Sequence, residues 1–92
     1  MSKTTHRDKD EIIQIVKPFV DQEQPSDYKL VIKDAWFSDG LEAWIVAIDV
    51  DREGVSGTDF ARRLVDIEEM VEKAIRDEKI EIHIHPTMYR ED

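Results

Sequence analysis

The chain has 92 residues, enough for one small domain, and its 40% hydrophobic content can fill a single core. Three glycines and three prolines argue against disorder, and the lack of cysteine excludes disulfide frameworks and thiolate zinc sites. A net charge of −9 repels nucleic-acid phosphates, so direct nucleic-acid binding is not expected; the acidity suits basic partners or cations, or simply keeps a small domain soluble. The longest apolar run, Ala43 to Ile48, is too short to span a bilayer, and the first residues lack the apolar stretch of a signal peptide. The expectation is a cytoplasmic protein with one domain over 1–92, flanked by flexible tails at 1–7 and 87–92.

The first helix is predicted to start near Asp8, with Glu11 completing a capping-box pattern. Ile12, Ile15, Val16, Phe19 and Val20 form its apolar stripe. Pro18 lies inside that stripe and predicts a kink, or an end to regular hydrogen bonding near Lys17. A loop follows over 21–27. Alternation from Tyr28 predicts a strand running through Trp36 and Phe37, with a bulge near Asp34. Ser38-Asp39-Gly40 reads as a hairpin turn in which Gly40 is free to take positive φ.

A second strand is predicted from about Glu42 to Val50. Trp44, Val46, Ile48 and Val50 share one face; Ala43, Ile45 and Ala47 share the other. Apolar residues on both faces suit a central strand, or one whose second face meets another subunit. After a loop at 51–57, Ser56 or Thr58 caps a long helix that runs to about Asp77. Its core stripe is Phe60, Leu64, Ile67, Val71 and Ala74, and its other face is charged and solvated. Asp59–Arg63, Glu69–Lys73 and Glu72–Arg76 are predicted i,i+4 pairs.

Lys79 to Pro86 closes the chain as a third strand, in which isoleucines alternate with Glu81, His83 and His85. The order is helix, strand, strand, helix, strand. This predicts an α+β fold, an αββαβ two-layer sandwich: a three-stranded mixed sheet with both helices on one face. The other face then carries Val31, Ala43, Ile45 and Ala47 together with the two histidines. That much apolar surface is expected to be covered in a homodimer.

Two imidazoles at i,i+2 on a strand stand roughly 7 Å apart at their base and can converge on one ion, so His83 and His85 are candidate ligands for a divalent metal such as Zn²⁺. Two histidines on a polar sheet face explain the same pattern without a metal. Asp49-Val50-Asp51 lacks the phosphate loop that a nucleotidyl-transfer site needs. Gly54-Val55-Ser56-Gly57-Thr58 precedes a helix but matches no phosphate-binding pattern. Trp36, Phe37 and Trp44 suit core or dimer packing better than base stacking, given the acidity. Ser26, Ser38 and Ser56 have no recognisable histidine partner, so no enzyme is expected.

The hairpin after Lys33-Asp34, the strand end Val50-Asp51, the helix end Val71-Glu72-Lys73-Ala74-Ile75 and the closing Ile82-His83-Ile84-His85-Pro86 span about residues 11–86. Together they resemble the cytoplasmic dimerisation domain of cation-diffusion-facilitator transporters. That resemblance implies a dimer in which a strand histidine helps bind regulatory Zn²⁺. His83 stands at that position and His85 replaces an acidic residue. Lys33 and Ala47 stand nearest the family's hairpin histidine, and Val65 nearest its helix histidine. With no membrane-spanning part, a regulatory module is implied rather than a transporter.

Pro18 and the stretch Gly54-Val55-Ser56-Gly57-Thr58-Asp59-Phe60-Ala61 also resemble the N-terminal domain of ribosome maturation factor P, which shares the element order and acidity. The closing strand departs from that family's Leu-Glu-Val-Ser-Ser-Pro-Gly. The Ser38–Val50 hairpin is more weakly similar to ribosome-binding factor A. The leading expectation is a non-enzymatic homodimeric interaction or regulatory module with weak metal binding. An accessory factor in small ribosomal subunit maturation is the alternative.

Overall fold

Helix α1 (Lys9–Gln22) forms where the 3.6-residue stripe predicts it, with Ile12, Val16 and Val20 buried. Its start differs from the expectation. The Asp8 side chain makes no cap hydrogen bond, and only its carbonyl accepts, from the Ile12 N–H at 3.2 Å. Asp10 and Glu11 in the first turn meet the positive end of the helix dipole instead. Pro18 does not end the helix. It lies on the exposed side, as does Gln14, whose carbonyl gets no helical donor because proline lacks the N–H. The computed structural model describes residues 8–78 and 80–87 of the chain. Both predicted tails, apart from Thr87, lie outside them, as does Lys79 at the predicted start of the third strand.

Strand β1 (Leu30–Ser38) pairs antiparallel with β2 (Ala43–Val50), and β3 (Ile82–Pro86) pairs parallel with β2, in the order β1-β2-β3. The predicted bulge is present: the register shifts between Ile32 and Asp34, so Lys33 is the extra residue. After it, Ala35 and Phe37 turn toward the helices and Trp36 turns away. The turn is a correction. Gly40 does not take positive φ; Glu42 does, at 53°. Leu41 N–H donates to Ser38 Oγ at 3.3 Å to close it.

Helix α2 (Gly57–Ala74) starts at Ser56, whose hydroxyl accepts from the Asp59 N–H at 3.2 Å. Phe60, Leu64, Ile67 and Val71 are buried as predicted, but Ala74 is exposed. The helix stops there, Ile75 turns into the core, and a separate 3₁₀ turn follows at Arg76–Glu78. Of the three predicted helix pairs, Asp59–Arg63 closes at 3.0 Å; among the described residues, neither Glu69–Lys73 nor Glu72–Arg76 does.

Arg63 is not part of a solvated face. Its guanidinium also donates to the Glu23 carbonyl at 3.0 Å, and Tyr28 donates its hydroxyl to Asp59 at 2.6 Å. This network ties the loop after α1 to the start of α2. Tyr28 is held above its ordinary pKa, first by burial and then by Asp59. Asp59 is held below its own by the Tyr28 hydrogen bond and then by Arg63.

Both helices lie on one face of the mixed sheet, which makes the chain an αββαβ two-layer α+β fold. The core joins Ile12, Val16, Leu64, Ile67 and Val71 of the helices to Val46, Ile48, Ile82 and Ile84 of the sheet. Among the described residues, no helix is long and apolar enough to cross a membrane.

Candidate functional site

The helix-free face is laid out by strand register. Trp36, Ile45 and His83 stand in one row across the three strands; Asp34, Ala47 and His85 stand in the next. The central residues were expected to be the open apolar patch. Instead Ala43, Ile45 and Ala47 are only 1%, 3% and 4% exposed. The exposed apolar residues of the face are Val31 and Trp36, at 37% and 45%.

Ala47 is short between longer neighbours, and a hollow of ≈ 760 Å³ opens above it. Lys33, Asp34, Trp36, His85, Pro86 and Thr87 line the rest. Asp34 accepts from Lys9 of α1 at 3.2 Å. Among the described residues, the charged side chains at this hollow are Lys33 and Asp34, the latter paired with Lys9.

The two candidate ligands part company. His83 Nδ1 lies 3.2 Å from Glu68 Oε2 on α2, a contact in which a ring N–H donates a hydrogen bond and the carboxylate accepts it. Its Nε2 lies 3.8 Å from Glu81 Oε2. His83 thus lines a second groove, of ≈ 740 Å³, between α2 and the free edge of β3. His85 lines the hollow beside Trp36 instead. The two rings are 6.3 Å apart, with their planes at 68°. Among the described residues, no group of three or more histidine or acidic side chains is placed to hold a metal ion. Orientation of His83 by Glu68 is what a metal-binding histidine requires of its second nitrogen, but one strand brings only Glu81 to the other nitrogen.

In the sequence Glu68 is not singled out, whereas Trp36 reads there as a core or dimer-packing residue, its exposure unforeseen. Glu68 follows Leu64 by four residues and flanks the buried stripe, which is a readable signal for a residue at the sheet edge. Trp36 becomes a surface residue through the one-residue bulge, which reverses the facing of everything after Lys33.

Compared with models of known protein families, with curated proteins and with solved structures, the chain has no match. Neither the cation-efflux resemblance nor the ribosome-factor resemblance gains support from a relative.

Proposed function

We propose that the chain is a non-enzymatic homodimeric interaction module that associates through the helix-free face of its sheet. The observation that carries this reading is Trp36, 45% exposed beside the hollow over Ala47. A large aromatic side chain left in water next to a concave surface has the character of an interface anchor. Leu41 in the turn and Val65 on the outer side of α2 are exposed singly, which is ordinary for a surface.

Metal binding is not needed for this reading, because His83 and His85 open on different depressions. Sedimentation equilibrium of the purified chain tests it. The expected result is a reversible monomer–dimer equilibrium that Trp36→Ala shifts toward monomer by about tenfold or more, the loss typical of an aromatic hot spot. A strictly monomeric chain, or a dimer indifferent to Trp36→Ala, would argue against it.

A further inference from the structure

Strand β3 is joined to the sheet on one side only. The Trp44 N–H donates to the Glu81 carbonyl, so the backbone groups of His83 and His85 turn toward β2 and those of Ile82 and Ile84 turn outward. The side chains of Ile82 and Ile84 enter the core beneath the helices, and alternation starts His83 on the helix-free side. Yet His83 Nδ1 reaches Glu68 of α2, in the helix layer, at 3.2 Å. The ladder closes the β2 side of the strand, so this contact has one route, around the outer edge of β3. We propose that the His83–Glu68 hydrogen bond is a strap across that edge, holding the closing strand against α2.

Which carboxylate meets the ring decides what the bond can do. Glu81 lies 3.8 Å from His83 Nε2, too long for a hydrogen bond, and it belongs to the segment entering β3. Attraction to Glu81 travels with the strand and ties nothing across the edge. Glu68 belongs to α2, which Leu64, Ile67 and Val71 anchor in the core. A bond from the short strand to that helix resists opening of the strand.

Both side chains of the strap are 34% exposed, so water competes for the bond. Its loss is expected to raise the opening equilibrium of β3 about fivefold, the factor set by one net hydrogen bond. The strand so held also brings His85 and Pro86 to the hollow on the helix-free face. The strap thereby steadies one wall of the face proposed for association; that consequence alone rests on the homodimer reading.

Native-state hydrogen exchange of the full chain reads the strap at the Trp44 N–H, which is released when the Glu81 carbonyl withdraws. Glu68→Ala is the leading variant, because alanine favours the helix and any loosening then comes from the lost contact. Expected is exchange of the Trp44 amide about fivefold faster in Glu68→Ala and in His83→Ala, with β2 amides directed at β1 unchanged. The double variant should gain nothing beyond either single change, as partners in one bond do. Glu81→Ala and His85→Ala should leave the Trp44 amide as it is. Effects that add in the double variant, an unaltered Trp44 amide in both singles, or an equal rise at the amides directed at β1 would overturn the strap. So would a rise as large in Glu81→Ala or His85→Ala. None of these readings needs association, so failure of the strap leaves the homodimer reading standing, and a monomeric chain still tests the strap.

Discussion

Glu42 holds φ at 53°, a region in which a side chain is strained, while Gly40 beside it does not use its freedom. Moving the glycine to where the backbone needs it should help. Glu42→Gly is expected to stabilise the protein by about 0.5–1 kcal/mol, read as a higher urea midpoint with unchanged slope. Asp51 supplies a second test at single-residue scale. Its carboxylate accepts from Arg52 at 3.1 Å and from the Lys29 N–H at 2.8 Å. These bonds, that from Arg52 first, lower its pKa from 3.8 to about 2. The folded state therefore binds this proton less readily than the unfolded chain, and stability rises with pH across that window. The contribution is complete above the ordinary carboxylate value and is lost as pH falls toward 2. Asp51→Asn should lower the thermal midpoint at neutral pH and flatten its decline between about pH 4 and 2; an unchanged slope there would contradict the assignment.

At the scale of elements, α1 keeps Pro18 in its interior without breaking. The cost of proline there is set by the lost hydrogen bond and by ring crowding against the preceding turn. Pro18→Ala restores a donor to the Gln14 carbonyl and should stabilise the protein by about 1–3 kcal/mol in denaturant unfolding, less any entropy returned to the unfolded chain. The periodicities that placed the elements were legible because burial enforces them. Ile12–Val16–Val20 and Phe60–Leu64–Ile67–Val71 are core because the sheet lies against one side of each helix. What could not be read was the outcome of local competition. Asp8 had the chemistry of a cap but makes no cap bond, and Glu69–Lys73 and Glu72–Arg76 had the spacing of ion pairs without the closure. The sheet face was legible as a set of residues, not as a surface. Strand alternation put Ala43, Ile45 and Ala47 outward, but it could not tell that they are buried there while Trp36 stays exposed.

Across the whole molecule, the sheet is not equally secured. Strand β1 meets β2 over most of its length, whereas the five-residue β3 joins along one edge only after the chain has crossed through α2. Its free edge is short and ends at Pro86, which limits pairing with other chains. Ile82 and Ile84 hold it from below. The Trp44 N–H, bonded to the Glu81 carbonyl at 2.8 Å, should then exchange with solvent earlier in mild denaturant than β2 amides directed at β1. Equal protection of the two sets in native-state hydrogen exchange would mean that the sheet opens as one unit.

The hollow draws its walls from both sides of this boundary. Trp36 and Lys33 come from the hairpin, while His85, Pro86 and Thr87 come at or just after the closing strand. Release of β3 would dismantle one wall while leaving the indole in place on the other. In the proposed dimer, association through this face and docking of β3 are thermodynamically linked: a second copy bound there favours the closed strand, and protein concentration becomes a lever on how often that strand lets go.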